Sequence, residues 1–383
     1  MTKPVALYVH FPFCVSICPY CDFVVYAGRD ARGPSNRIEA LVDALVAEIS
    51  LRAIPGSSLG SVYFGGGTPS LMSPAQIERL LAAAQAAFGL QPDAEITIEA
   101  NPGGGERGDL AGFRAAGVNR LSIGAQSFDE DKLNRLGRRH TRADIQETVN
   151  LARQAGIANI SLDLLYDVPG QTIATWRDTL AGTLDLEPDH VSAYALTLDQ
   201  PEGDDHLPPR RGAQAWRARA AVQQDEDRAA DMYEIADDAL AAAGLDWYEL
   251  SNWSLPGKRS RHSLTYWRGQ PWEAVGPGAH AFDGDCTRRW NGARLDGYLT
   301  ALAGGHLPPG DSVTAEPEVA RAERVMLALR TDAGFVGGEG PEIESAIDWG
   351  ITERLLESTE SAVRLTRRGR LLSNELFSRL LPA

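Results

Sequence analysis

Up to about residue 200 the chain alternates short β-branched apolar runs with Ala- and Leu-rich stretches of helical period. That alternation is the signature of repeated βα units, and right-handed crossovers then place the helices on the outer face of a parallel sheet. The strand candidates are Val5–His10, Ser61–Phe64, Ala94–Glu99, Arg120–Ile123, Ile157–Leu162 and His190–Ala195. Between them, Arg37–Arg52, Pro74–Phe88, Arg107–Ala116, Thr141–Ala155 and Thr172–Leu184 carry apolar residues three and four apart. The expected class is α/β, with six parallel strands in an open or partly closed sheet.

In such sheets ligands sit at the carboxyl ends of the strands, and the polar residues of this chain gather there. Tyr8 and His10 close the first strand, Gly65-Gly66-Gly67-Thr68 follows the second, and Glu99-Ala100-Asn101-Pro102 ends the third. Gln126 follows the fourth strand, and Asp163 ends the apolar run of the fifth. Glycine lets bare backbone approach a ligand. Glu99 suits the hydroxyls of a sugar, Gln126 offers both a donor and an acceptor, and Arg138 carries a permanent charge that can meet a carboxylate through two bonds.

A chain of 383 residues with 43% hydrophobic content can bury a large core. Its formal charge of -15 argues against a nucleic-acid partner, because affinity for phosphate backbones needs an excess of Lys and Arg. The apolar segment Val5–Phe13 is too short to span a membrane and no signal peptide is visible, so a cytoplasmic protein is expected, with peripheral membrane contact left open. After residue 198 a Pro-, Asp- and Gly-rich loop, Asp199 to Gly212, precedes a helical stretch near Asp225–Ala243. Trp247 to Trp290 holds five of the eight tryptophans with His262 and His280, which marks it as a distinct aromatic segment. The expected divisions are 1–200, 201–310 and a small helical or winged-helix-like unit at 311–383.

Cys14, Cys18 and Cys21 form C-x3-C-x2-C in a loop that Pro12 and Pro19 keep from being a continuous helix. Three of four cysteines within eight residues make no disulfide scaffold and read as reduced thiolates. Soft sulfur ligands select zinc or an iron–sulfur cluster. Zinc wants a fourth ligand, which His10 could supply. A cubane held by three cysteines leaves one iron open to an external ligand. Cys286 reads as a bystander thiol.

Tyr8-Val9-His10-Phe11-Pro12-Phe13-Cys14 through Cys18-Pro19-Tyr20-Cys21-Asp22-Phe23 resembles the radical S-adenosylmethionine (SAM) proteins of the oxygen-independent coproporphyrinogen oxidase superfamily, and within them the haem chaperones of the HemW family. The resemblance covers nearly the whole chain. It implies a partial (β/α)6 radical SAM barrel with a C-terminal extension and a small helical or winged-helix-like domain. It implies a [4Fe–4S] cluster on Cys14, Cys18 and Cys21, and SAM contacts at Tyr8, Gly65, Gly66, Thr68, Glu99, Gln126, Arg138, Asp163 and Ala195. The implied chemistry is one-electron cleavage of the sulfonium, which calls for an external electron donor.

Phe23 stands where coproporphyrinogen-oxidising enzymes carry another cysteine, and only seven residues precede Tyr8. Both features favour haem handling, with a haem-acceptor protein as partner, over decarboxylation of coproporphyrinogen. Arg261-His262-Ser263-Leu264-Thr265-Tyr266-Trp267 resembles the H-N-x-x-Y-W motif of the chaperones, with Ser263 in place of asparagine. That likeness implies His262 as a haem-iron ligand over an aromatic floor of Tyr266 and Trp267. Val275-Gly276-Pro277-Gly278-Ala279-His280-Ala281-Phe282 matches a glycine-rich stretch near the nucleotide in relatives and could line a second ligand pocket. A coproporphyrinogen oxidase and a SAM-dependent radical methyltransferase are the alternative readings.

Overall fold

The structure, a computed structural model, describes residues 2–31, 33, 36–198 and 213–382. The expected loop at Asp199 to Gly212 lies outside the described residues. Six βα-type strands form as the apolar runs require: β1 (Ala6–Phe11), β2 (Leu59–Gly66), β3 (Leu90–Ala100), β4 (Arg120–Gln126), β5 (Ile160–Tyr166) and β6 (His190–Ala195). Each is hydrogen-bonded in parallel to the next. The main crossover helices are α1 (Ile38–Leu51), α2 (Pro74–Phe88), α3 (Leu110–Ala115), α4 (Arg142–Gln154) and α5 (Ile173–Leu184).

Capping chemistry written in the sequence fixes several helix starts. Ser73 and Gln76 close a reciprocal capping box before Pro74, Thr141 pairs with Asp144 in the same way, and Thr172 pairs with Thr175. The strands run longer than their apolar cores because rim residues still pair with a neighbour; Gly66 matches Phe11 and Gln126 matches Leu164.

The six-strand expectation is incomplete in one respect. β7 (Asp246–Glu249), β8 (Asn252–Ser254), β9 (Trp272–Val275), β10 (His280–Phe282), β11 (Thr287–Asn291) and β12 (Gly310–Thr314) extend the same sheet at both edges. Its order is β12-β11-β10-β9-β1-β2-β3-β4-β5-β6-β8-β7. β9 lies parallel to β1, with Tyr8 opposite Ala274, while β8 closes antiparallel on β6. Inward residues of β2 through β6 line one cavity, so the sheet curls around it as a partial barrel.

The main core packs between sheet and helices, with Phe11, Phe13 and Phe64 fully buried. Each contributes roughly 1.5–3 kcal/mol and together they seat the start of the cysteine loop. A second core of Val325, Leu329, Phe335, Leu356, Leu376 and Phe377 belongs to the C-terminal unit. There the helices Pro317–Leu329, Pro341–Thr352 and Ser373–Leu380 surround an antiparallel hairpin of Leu356–Ser358 and Val363–Leu365. The unit is tied on by bidentate ion pairs from Arg370 to Asp237 and from Arg259 to Asp332. No helix among the described residues is long and apolar enough to cross a membrane.

Candidate functional site

β1 delivers the chain straight into the cysteine loop, and the end of β2 clamps that loop. The Gly67 amide donates to the Phe11 carbonyl at 2.8 Å and the Thr68 amide to the Phe13 carbonyl at 2.8 Å. A Cβ on Gly67 would stand 2.7 Å from the Phe13 oxygen and 2.8 Å from the Phe11 oxygen, so only glycine lets the strands close this tightly. Gly66 adopts φ 110° against the His10 ring. The glycine motif therefore positions the cysteines as well as lining the cavity beside them.

Cys14, Cys18 and Cys21 are half-buried and share a cavity of about 560 Å³ with Gly66, Glu99, Gln126, Arg138, Asp163 and Ala195. The Thr68 hydroxyl donates to Cys14 Sγ at 3.5 Å, and Arg138 Nη1 donates to Cys18 Sγ at 3.8 Å. Such donors stabilise thiolate ligands. Burial pushes the Cys14 thiol up to about 12, so an incoming metal must displace its proton.

His10 does not complete a zinc knuckle. Its Nε2 donates to the Val24 carbonyl at 2.8 Å, which leaves Nδ1 to accept from the Tyr8 hydroxyl at 3.1 Å. Both ring nitrogens are engaged, and burial lowers the imidazole to about 4, so it stays neutral. Among the described residues no three His, Cys, Asp or Glu side chains close on a single metal ion. The cysteines instead face a shared space, the arrangement a cubane needs when each thiolate takes a different iron.

Glu99 ends β3 with the Tyr63 hydroxyl donating to it at 2.8 Å and the Gly66 amide at 3.0 Å. Burial raises its carboxyl to about 7 despite those donors. Asp163 accepts from the Ser122 hydroxyl at 2.9 Å and from Ser161 at 3.2 Å, and burial raises its pKa as well. Gln126 has φ 64°, a left-handed backbone that a non-glycine residue adopts only where its surroundings impose it. The β4–β5 register shifts between Ile123 and Gln126, and this re-aims the Gln126 side chain into the cavity. Ala195 is exposed at the mouth. Tyr8 is not on the cavity wall; its ring stacks on Tyr63 beneath the glycine turn, with centroids 6.1 Å apart.

Two residues missed by the sequence reading hold this site together. Asn101 accepts from Arg138 Nη2 at 2.5 Å through Oδ1, while its Nδ2 donates to Thr68 Oγ1 at 3.1 Å and to Glu106 at 2.8 Å. One amide thus orients the donors of both Cys14 and Cys18. Its position in Glu99-Ala100-Asn101-Pro102 was the available signal. Arg217 reaches across from the helix Ala213–Ala221 to the Tyr20 carbonyl at 3.0 Å and to the Asp22 carboxylate, pinning the far side of the loop. Nothing local in the sequence announces that contact.

His262 lies apart from the cavity. Its helix α6 (Arg261–Trp267) packs on β2, and the residue is 2% exposed. The ring shares hydrogen bonds with Ser61 Oγ at 2.9 Å and the Tyr266 hydroxyl at 2.7 Å, and stacks on Tyr63 with centroids 5.0 Å apart. Burial lowers it to about 3. Trp267 points away, with the Arg330 guanidinium over its ring. In the glycine-rich stretch Val275–Phe282, Gly276 abuts the His10 backbone and Gly278 sits 2.6 Å, counted from a notional Cβ, from Val24.

Residues 8–181 match the family model of the radical SAM superfamily. A protein named heme chaperone HemW from Mycobacterium tuberculosis is 35% identical, over 99% of this chain and 95% of its own length. One of the same name from Bacillus subtilis is 32% identical, over 98% of each chain. The solved structure of coproporphyrinogen III oxidase (HemN) from Escherichia coli superposes with a TM-score of 0.79, covering 99% of this chain and 90% of that one at 23% identity, which establishes the shared fold. With the partial barrel, the three-cysteine loop and these relatives in view, the chain belongs to the HemW family within the radical SAM superfamily.

Proposed function

We propose that this chain is a haem chaperone that holds a [4Fe–4S] cluster on Cys14, Cys18 and Cys21, binds SAM beside it, and passes haem to an acceptor protein in the cytoplasm. The observation that carries the reading is that the three sulfurs open onto the same cavity as Glu99, Gln126, Arg138 and Asp163. When bound, the cluster supplies a one-electron reductant next to the nucleotide's sulfonium, with its own electrons coming from an external donor. The protein's share is orientation. Gly65, Gly66 and Thr68 bring backbone to the ligand's amino end, Arg138 supplies charge to its carboxylate, and Glu99 and Asp163 accept from its hydroxyls. Gln126 and Ala195 border the base, and Tyr8 acts from behind the glycine turn.

Glu99 gives this reading a pH signature. Its folded pKa, near 7, lies above the usual carboxylate value, so it gains an acceptor's full charge only as pH rises through 7. SAM affinity, measured by equilibrium dialysis on the reconstituted protein, is expected to rise several-fold between about pH 6 and 8. The Glu99→Gln variant should bind more weakly and lose that slope; a pH-independent wild type would remove Glu99 from the contacts. The sign for folding is opposite. Between the unfolded and folded pKa values the native state binds more protons, so Glu99 lowers stability as pH rises across that window.

The haem assignment is supported by the relatives' names and by Phe23, which is 62% exposed at the cavity mouth. Anaerobic titration with haem should produce a saturable Soret change, while incubation with coproporphyrinogen and a reductant should leave the substrate intact. Conversion to protoporphyrinogen would move the assignment to the oxidase. For His262 to ligate iron it must give up Ser61 or Tyr266 and leave a sealed aromatic stack. His262→Ala is therefore expected to leave the haem titration unchanged; loss of the Soret change would show that α6 opens to admit haem.

A further inference from the structure

Inward side chains alternate along β4, so Gln126, Gly124, Ser122 and Arg120 descend from the cavity mouth to its floor. Arg120 opens β4, which Gln126 ends. Its side chain lines the cavity and the residue is 2% exposed, yet its Nε has no hydrogen-bond partner and no described residue gives it a salt bridge. A guanidinium never loses its charge, and a buried cation without a hydrogen-bonded counter-ion is costly.

Burial works against the Arg120 charge, but Glu95, Tyr63, Tyr248 and Asp163 more than offset it and raise its pKa. What the nearby carboxylates do not supply is a hydrogen bond to Nε, because each is served by other donors. Glu95 accepts the amides of Arg261 and His262 at 3.1 and 3.0 Å. Asp163 takes serine hydroxyls, and Glu99 takes Tyr63 and Gly66. They hold the charge in place electrostatically and leave its planar fork free to face the cavity.

We propose that Arg120 anchors a second subsite, at the cavity floor, that takes the carboxylate of a small molecule bound together with the nucleotide at the rim. A planar, singly charged carboxylate matches the fork of a guanidinium. A doubly charged phosphate is disfavoured by Glu95 and Asp163 close by. The proposal goes beyond the chaperone reading, since haem delivery needs no such pocket.

Trifluoroacetate, followed by the width of its fluorine resonance, is the probe. Added to the reconstituted, SAM-saturated protein it should broaden saturably, and acetate should compete it away. Arg120→Gln should weaken binding about tenfold or more, and Arg120→Lys, which keeps the charge without the fork, by less. SAM affinity should stay within about twofold in Arg120→Lys, which keeps the positive charge that lowers the Glu99 and Asp163 carboxyls. Three results would overturn the proposal: no saturable broadening in the wild type, equal broadening in Arg120→Gln, or displacement of the probe by SAM, which would make Arg120 part of the nucleotide site. Repeating the wild-type titration without cluster or SAM separates failure of this subsite from failure of the nucleotide reading, and the wild-type result stands even if Arg120→Gln does not fold.

Discussion

Replacing Cys18 by serine is expected to reduce bound iron and sulfide to background after anaerobic reconstitution and to abolish SAM binding with it. In the proposed site three cysteines are the protein's ligands to the cluster, so none is spare. A serine alkoxide is a harder and more weakly held ligand than a thiolate. The variant also removes the sulfur that receives Arg138 Nη1, leaving that guanidinium with Asn101 and the Gly124 carbonyl, where the bond is 2.7 Å. The fold should survive, because Cys18 is half-buried and outside both hydrophobic cores. Circular dichroism unchanged from wild type with iron lost is the expected pair of results. Full cluster occupancy in the serine variant would refute the three-cysteine assignment.

The second large effect is expected at a residue that touches no metal. Asn101→Ala removes the acceptor of Arg138 and the donor of Thr68 in one step, so the groups aimed at Cys18 and Cys14 both lose their orientation. Loss of such outer partners typically lowers metal affinity or activity about 10–100-fold. Cluster retention under a chelator challenge should fall by about that range. Asn101→Asp sharpens the test: its carboxylate still accepts from Arg138, but it cannot donate to Thr68 and it meets the Glu106 carboxylate, formerly an acceptor, at close range. It should rescue the Arg138 side alone, so cluster retention is expected between that of Asn101→Ala and wild type, with SAM binding following the cluster. Equal retention by wild type and Asn101→Ala would reduce the hub to packing.

Much of this architecture is legible in the residues because local chemistry fixes it. The caps at Ser73, Thr141 and Thr172 set their helices within a residue, and the apolar runs set the strand cores. The cysteine spacing and the strand-end carboxylates are equally local, so Cys14, Cys18, Cys21, Glu99 and Asp163 meet at one cavity. What escapes is long-range. The parallel pairing of β9 with β1 joins segments over 260 residues apart, and no periodicity announces it. The same is true of Arg217 on the cysteine loop and of the left-handed turn at Gln126. The burial of His262 follows from where α6 packs on β2, and the motif around it carries no information about that depth.

The central claim is that the iron left open by three cysteines meets SAM inside this cavity. Electron paramagnetic resonance of the reduced, reconstituted protein tests it most directly, with SAM labelled by nitrogen-15 at the amino group. Addition of SAM should shift the cluster's signal and introduce a hyperfine coupling to the label. Arg138→Met should diminish both, because it removes the charge proposed to meet the ligand's carboxylate. A cluster signal identical with and without SAM, and no coupling to nitrogen-15, would contradict the account.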